Sequence, residues 1–519
     1  MFAVALNTSM QDIVSARPSG GRSWLASERE TQLAIFVISC LLYFWRRAPF
    51  LGQWDGFDYL KEIVAHQLSP LGVGRPVFVG YNIALWETLK RVFHLESRQV
   101  ESVVLGGVIV TGALGVWIFG RLARQVLPPA AARMALLALV LSPIYAFYAG
   151  CVMTEVPMFA AVVAAGSVLW ASRPRRQILA DAAAGVLWGV AVGIREQALL
   201  FFPAYCWIIW VRRSSVAGRI RTATAFVLGS GPVILAPVLI LYLRDPSAFL
   251  ARTGMWLGAI PTGPSHFWMN FQASLLWTFA ACPGAWLSLA GAWLWRVRTK
   301  RAGTEKPSGT MSAPAVVAGV FCGLVLPVAV LWRDADVQIH PRYAVAALPA
   351  VLIITAALFH RWAPSKRAAV AWAALQVFAF GVVQVGNQPF RTVQFEKRAY
   401  AQLVLETVRG PALLIAGGNS AAFDYYRGIG MRPEWRILWS GWDWSEEKIG
   451  AAIRDCLDRE VPVYVCDGPS TWLNLEGERL ELEFLLQRLD LELEPVAPGL
   501  KKVLPAIKTI SSEWQTPRE

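Results

Sequence analysis

The chain has 519 residues, of which 55% are hydrophobic and only 16% charged, and its mean hydropathy is +0.43. This composition excludes a typical soluble protein and favours a membrane protein with several spans. The formal net charge is +13, from 49 Lys and Arg against 36 Asp and Glu. In a soluble chain this excess would suggest a nucleic-acid partner, so the positions of the charges decide what it means.

Long apolar runs fill most of the first three quarters of the chain. Residues 1–30 are charged and lack a cleavage site after a short apolar core, so they are predicted to precede an uncleaved signal anchor. A bilayer requires roughly 20 apolar residues per helix, and about eleven runs approach that length. The sequence therefore predicts an α-helical multi-pass membrane protein. The predicted spans are near 31–50, 100–120, 132–149, 153–172, 178–194, 197–211, 222–243, 271–295, 314–332, 344–361 and 368–387.

The connections between these runs fall into two alternating sets with different charge. One set, which includes residues 1–30, holds 21 Lys and Arg, whereas the other holds 12 Lys and Arg together with eleven acids. Because Lys and Arg are enriched in cytoplasmic loops, the first set is predicted to be cytoplasmic. An odd number of spans then places the region after residue 387 on the external side. The positive charge is thus explained by membrane orientation, and no nucleic-acid partner is expected.

The C-terminal residues 388–519 have a different pattern of short alternating elements. They carry 16 Lys and Arg against 20 Asp and Glu. Residues 412–416 and 461–465 are typical of buried strands, and residues 445–459 and 478–490 are typical of helices. A small extracytoplasmic α/β domain is predicted here. Its cysteines, Cys456 and Cys466, either pair or are two unpaired core thiols.

The first external loop, residues 51–99, begins with acidic residues directly after the first span. Asp55 and Asp58 lie there beside Tyr59, and they are candidates for chemistry at the membrane surface. The alternative is a solvated connection whose acids cap a helix. Farther along the loop, apolar residues recur at helical spacing, which predicts an amphipathic helix at the interface: Ile83, Trp86, Leu89 and Phe93.

Three further charged residues stand at predicted external ends of spans. Glu155 opens an apolar run, where an ionisable group is costly and is a functional candidate, although an acid favoured by the helix dipole is the alternative. Arg342, shortly after His340, precedes the helix at 344–361, and an anionic ligand such as phosphate would suit a guanidinium there. Arg195 is a similar candidate, with an ion pair to a neighbouring acid as its alternative.

The order of these features resembles the GT-C superfamily of polytopic membrane glycosyltransferases, especially the protein mannosyltransferase and aminoarabinose transferase branch. The resemblance covers residues 31 to about 387. This chain differs from the usual motifs at Gly56, Glu155 and Arg75, where Glu, Asp and Lys are more common. The matching positions are the acid and tyrosine of Asp55-Gly56-Phe57-Asp58-Tyr59, then Arg75-Pro76, Glu155 and Arg342-Tyr343.

The resemblance implies a glycosyltransferase that moves a sugar from a polyprenyl-phosphate donor to an acceptor hydroxyl of a glycan, lipid or protein. It implies inversion, with Asp55 as the general base. No cofactor is certain, and a divalent ion held by Asp55 and Glu155 is left open. The implied substrate-binding residues are Asp58, Tyr59, Arg75, Glu155, Arg195, His340, Arg342 and Tyr343.

Two further expectations concern the location of the protein in the cell and an alternative function. Arg outnumbers Lys by 39 to 10, a composition associated with bacteria of high genomic GC content, which predicts an inner-membrane protein with its C-terminal domain in the periplasm. The alternative function is a membrane transporter or lipid flippase. Such proteins often contain repeated halves and interrupted helices near the midplane, whereas no clear repeat is found and the conspicuous charges gather at one face.

Overall fold

The computed structural model is mostly helical and confirms an α-helical multi-pass membrane protein. It describes residues 22–51, 54–66, 75–171, 177–213, 215–247, 249–250, 272–273, 276–301, 342, 344–363, 365–416, 420–438, 446–468 and 492–504. Contacts divide the chain into two compact units. The first unit comprises residues 1–47, 68–85 and 103–386, and the second comprises residues 48–67, 86–102 and 387–519. The predicted domains, 1–30, 31–387 and 388–519, stay a prediction.

The helices before residue 387 are long and apolar. Within the described part of the chain, five helices are long and apolar enough to span a membrane, or six with one bent pair. The number of eleven spans stays a prediction, and the run at 314–332 lies outside the described residues. The helices are α1 (Arg22–Trp45), α2 (Trp54–Ala65), α3 (Pro76–Phe93), α4 (Val100–Val126), α5 (Pro129–Val140), α6 (Pro143–Ala149), α7 (Glu155–Ala171), α8 (Gln177–Ile194), α9 (Phe202–Arg212), α10 (Val216–Arg244), α11 (Pro283–Arg301), α12 (Ala344–Trp362) and α13 (Lys366–Gly386).

Two predicted spans are interrupted. Helices α5 and α6 meet at a bend of 56° within the run at 132–149. Pro143 begins α6, and the Ser142 hydroxyl accepts a hydrogen bond from the Tyr145 amide at 3.2 Å, so the chain caps a new helix there. The run at 197–211 begins as a 3₁₀-helix, Glu196–Phe201, before α9 starts. In both places a local turn divides a continuously apolar sequence.

Helices α8 and α10 of the first unit pack backbone against backbone. A Cβ atom added at Gly185 would lie 2.0 Å from the Phe226 carbonyl oxygen, and one added at Gly229 would lie 2.2 Å from the Ala182 carbonyl oxygen. Small residues allow such close approach, which strengthens helix association in membranes. At one end of the pair, the buried Asp181 carboxylate accepts hydrogen bonds from Arg213 Nη2 at 3.0 Å and from the Thr222 hydroxyl at 2.7 Å. This contact fixes the register of α8 against α10.

The second unit contains a five-stranded sheet in the order β2-β1-β3-β5-β4. Strands β1 (Ala412–Ile415), β2 (Trp435–Leu438) and β3 (Val463–Cys466) are parallel. Strand β5 (Leu500–Val503) pairs antiparallel with β3, and β4 (Leu493–Ala497) pairs antiparallel with β5. The described residues after 387 also form the helices α14 (Gln388–Thr407), α15 (Ser420–Gly428) and α16 (Glu446–Asp458). The strands predicted at 412–416 and 461–465 and the helix at 445–459 are confirmed, whereas residues 478–490 lie outside the described part.

Cys456 and Cys466 do not pair. Both are free and buried in the second unit, so the alternative of two core thiols is the correct one. Burial is the main cause that raises the pKa of the Cys466 thiol to about 12. The group therefore stays protonated at neutral pH and is a poor nucleophile.

Candidate active site

Glu155 lies at the first turn of α7 and is fully buried in the first unit, with 0% of its surface exposed. Its Oε1 atom accepts a hydrogen bond from Arg195 Nη1 at 2.6 Å. Oε2 has no hydrogen-bond partner among the described residues. A carboxylate buried in this way is costly unless it is paired or used, and here one oxygen is paired and the other is left for a further contact.

Arg195 links α7 to the end of α8. It follows α8 directly, with an extended backbone before the 3₁₀-helix, and only 1% of it is exposed. Besides Glu155, its guanidinium donates to the Thr154 hydroxyl at 2.9 Å and to Gln197 Oε1 at 2.8 Å. The predicted alternative of an ion pair with a neighbouring acid is confirmed, with Glu155 as that acid.

Arg342 reaches the same carboxylate from a third segment. It lies just before α12, is 9% exposed, and its Nε atom is 3.9 Å from Glu155 Oε1. The structure thus brings together three predicted site residues that are distant in sequence. A carboxylate flanked by two guanidinium groups forms a polar cluster able to bind both hydroxyl and anionic groups.

Tyr148 is a member of this cluster that the sequence did not indicate. It lies in α6, it is buried, and its hydroxyl has no hydrogen-bond partner in the described part of the chain. Glu155, Arg195 and Arg342 all interact electrostatically with it. The signal that could have revealed it is a phenol within an apolar run, shortly before an acid at a predicted membrane boundary.

The acids of the first external loop lie in the second unit. Asp55 is in the first turn of α2 and is partly exposed, and Tyr59 is buried in the same helix. Asp58 forms an ion pair of 2.8 Å with Lys61. Burial, the largest cause, raises the pKa of Asp58 above its usual value, and the Lys61 ammonium opposes this shift.

Three further residues were predicted to bind substrate, Arg75, His340 and Tyr343. Arg75 is half-buried and directly precedes α3. His340 and Tyr343 lie outside the described residues. The helix predicted around 83–93 is part of α3, and its apolar face is only partly buried, since Trp86 is 0% exposed and Phe93 is 64% exposed. Its location at the membrane interface stays a prediction.

The surroundings of Glu155 do not fit a divalent metal ion. Its carboxylate already pairs with Arg195 and faces Arg342, and two nearby guanidinium cations oppose a third positive charge. Over the described ranges, there is also no group of three or more His, Cys, Asp or Glu side chains placed to share a metal ion. No metal step is therefore assigned to this cluster.

The fold is similar to that of solved structures of ArnT, although no protein-family model and no curated protein matches the sequence. The structure of ArnT from Cupriavidus metallidurans bound to undecaprenyl phosphate matches with a TM-score of 0.59 and 13% identity, over 91% of this chain and 97% of that one. The apo state of the same ArnT matches with a TM-score of 0.57 and 13% identity, over 92% of this chain and 98% of that one. The chain therefore has a fold similar to that of these ArnT structures, in agreement with the fold class that the sequence predicted.

Proposed function

We propose that this protein is an integral membrane glycosyltransferase that transfers a sugar from a polyprenyl-phosphate donor to an acceptor hydroxyl, with inversion. The reaction takes place on the extracytoplasmic face, and the lipid tail of the donor stays in the bilayer. The acceptor belongs to a glycan, a lipid or a protein. A bacterial inner membrane, with the C-terminal region in the periplasm, is the proposed location.

The observation that carries this proposal is the buried cluster of Glu155, Arg195 and Arg342 in a chain whose fold is similar to that of ArnT. Charged groups among apolar membrane helices are costly, and they are kept where a substrate requires them. Two guanidinium groups suit a phosphate, which accepts paired hydrogen bonds from the planar fork of an arginine. The similar ArnT structure is bound to undecaprenyl phosphate, which supports a donor of this chemical class.

The proposed reaction is a single displacement at the anomeric carbon. The acceptor oxygen forms the new bond as the bond between the anomeric carbon and the phosphate oxygen breaks, so the configuration inverts. The Asp55 carboxylate takes the proton of the acceptor hydroxyl, and the electron pair of the broken bond leaves with the polyprenyl phosphate. Cations that bind the leaving phosphate stabilise the charge that develops on it.

The other residues have proposed roles in binding. Arg342, with Tyr343, holds the phosphate of the donor, and Glu155 contacts a sugar hydroxyl through Oε2, because a carboxylate oxygen accepts from a hydroxyl but repels a phosphate. Further contacts to the substrates are assigned to Asp58, Tyr59, Arg75, Arg195 and His340.

The base is tested by Asp55→Asn in membranes supplied with a panel of labelled polyprenyl-phosphate sugars. We expect transfer to fall by about 10²-fold or more, since the amide cannot accept the proton. Asp455→Asn is the matched control, because it makes the same change at a carboxylate whose ion pairs are with Arg436 and Arg459.

Full activity of Asp55→Asn would remove Asp55 as the base. The alternative function as a transporter has its own measurement in sealed vesicles. Movement of the lipid-linked sugar across the bilayer, without cleavage of the sugar–phosphate bond by the wild-type protein, would overturn the enzyme proposal.

A further inference from the structure

Helix α2, which carries Asp55, is attached to helix α15 by a lysine held between two carboxylates. The Lys61 ammonium lies 2.8 Å from Asp58 Oδ1 on its own helix and donates a hydrogen bond to Asp424 Oδ2 on α15. The other oxygen of Asp424 accepts from Arg427 Nη2 at 2.5 Å. We call this set of Asp58, Lys61, Asp424 and Arg427 the Lys61 bridge.

The packing around the Lys61 bridge is close. A Cβ atom added at Gly428 would lie 2.7 Å from Lys61 Cγ, so the lysine stem rests against the end of α15 where only a glycine leaves room. The buried ring of Phe57, one turn earlier on α2, lies 5.8 Å from the ring of Tyr425. The two helices thus share an apolar contact and an ionic contact side by side.

The positive charge of Lys61 is stabilised by its two carboxylate partners although the Lys61 bridge is partly buried. The Lys61, Asp58 and Asp424 side chains are 25%, 26% and 27% exposed. Burial would lower the pKa of Lys61, but the Asp58 and Asp424 carboxylates outweigh it and raise the pKa above its usual value, so the amine stays charged. An isolated ion pair at a fully exposed surface contributes little to stability. A partly buried network of ion pairs and hydrogen bonds, by contrast, restricts the positions of the groups that form it.

We propose that Lys61 and Asp424 are positioning residues that hold helix α2, and therefore Asp55 in its first turn, in the geometry required for catalysis. This inference rests on the proposed function, in which Asp55 is the base. Helix α2 has only 12 residues, and a helix of that length is marginal on its own, so its placement depends on its contacts. A displacement of about 1 Å in a catalytic group can reduce a rate by about 10²-fold.

The experiment uses the full chain and removes the bridge in three ways. Lys61→Met and Asp424→Asn each remove one charge at similar size, and Gly428→Ala displaces the lysine stem without changing any charge. Each variant should lower kcat by about tenfold, because the base is displaced. The KM for the donor should stay within about twofold, because the residues proposed to hold the donor phosphate, Arg342 and Tyr343, are not part of α2. The double variant Lys61→Met with Asp424→Asn should be no slower than Lys61→Met alone, since both changes break one interaction.

A second measurement is independent of activity. Amide hydrogen exchange of the peptide covering residues 54–65 should become faster in all three variants, because α2 loses its attachment. Asp455→Asn is again the control and should change neither kcat nor this exchange. Protein amounts in the membrane are compared by immunoblot, so that poor folding is not read as a slow reaction.

The possible outcomes distinguish a failure of the positioning role of Lys61 and Asp424 from a failure of the proposed glycosyltransferase function. Unchanged kcat in Lys61→Met and Asp424→Asn would overturn the positioning role, as would additive losses in the double variant. Unchanged exchange of residues 54–65 would show that the bridge does not hold α2. If the wild-type protein transfers no sugar but the variants exchange faster, the proposed function fails and the attachment of α2 by the bridge is still supported.

Discussion

The pair of Glu155 and Arg195 has two consequences for the protein, one for stability and one for substrate binding. Both groups are almost completely buried, and Arg195 also donates to Thr154 and Gln197. Removing one member of a buried ion pair is strongly destabilising, whereas replacing both is often nearly neutral. Oε2 of Glu155, which has no hydrogen-bond partner in the described part of the chain, is the atom assigned to the proposed sugar contact.

Glu155→Gln should therefore lower both the stability of the protein and the rate of sugar transfer. A second substitution, at Arg195, should restore the stability but not the transfer. We expect a stability loss of about 3–5 kcal/mol, because a buried guanidinium loses its carboxylate. Adding Arg195→Met should restore much of the melting temperature of the purified protein in detergent, while transfer stays low. Recovery of transfer in the double variant would contradict a sugar contact through Glu155.

The sequence indicated Glu155, Arg195 and Arg342 separately as candidates, but it did not predict that they are in contact. Glu155 and Arg195 are 40 positions apart, and Arg342 comes from a third segment, so only the packing of α7, α8 and α12 makes them neighbours. Asp58 has a partner that the sequence did not indicate. Its substrate contact stays a proposal, and in the structure it pairs with Lys61, which also pairs with Asp424 far along the chain.

At the level of elements, the contact of α8 with α10 combines close backbone approach at glycines with stacking of aromatic side chains. Without a hydrophobic force between helices in lipid, close packing and hydrogen bonds must hold them together. Gly185 and Gly229 provide the close approach, and Trp188 stacks on Phe226 with ring centres 5.4 Å apart.

Gly229→Ala should destabilise the protein, since its Cβ atom would lie 2.2 Å from the Ala182 carbonyl oxygen. Overpacking of this kind costs about 1–3 kcal/mol or more. Gly231→Ala on the same helix is the matched control, because a Cβ atom added there meets nothing within 4 Å. The melting temperature in detergent should fall for the first variant alone, and an equal effect of the two would contradict the close packing of α8 and α10.

Element boundaries were predictable where the sequence pattern matched the local geometry. The strands β1 and β3 lie in the middle of the sheet and are continuous apolar runs, so they were found. Strands β2 and β4 form the edges of the sheet and, with β5, mix charged and apolar residues, so the pattern did not reveal them. The break between α5 and α6 left a signal at Ser142-Pro143, which hydropathy over a long window averages away.

At the scale of the whole molecule, membrane orientation explains both the excess of positive charge and where the charged residues lie along the chain. Residues 1–387 carry 33 Lys and Arg against 16 acids, whereas residues 388–519 carry more acids than bases. The positive groups concentrate in alternate connections between apolar helices, as in the segment from Arg212 to Arg221 between α9 and the first turns of α10. Such a distribution orients a membrane protein during insertion.

The orientation can be measured with alkaline phosphatase, which is active only outside the cytoplasm of a bacterial host. Joined after Glu519, the reporter should be active, because the predicted odd number of spans would carry this end of the chain to the external side. Joined after Ser215, which lies in an arginine-rich connection, it should be inactive, and replacing Arg212, Arg219 and Arg221 with Gln should weaken that retention. Activity at Ser215 together with inactivity at Glu519 would show the opposite orientation. Asp55 and Asp424 would then lie on the cytoplasmic side, and the proposed reaction would need a donor that faces the cytoplasm.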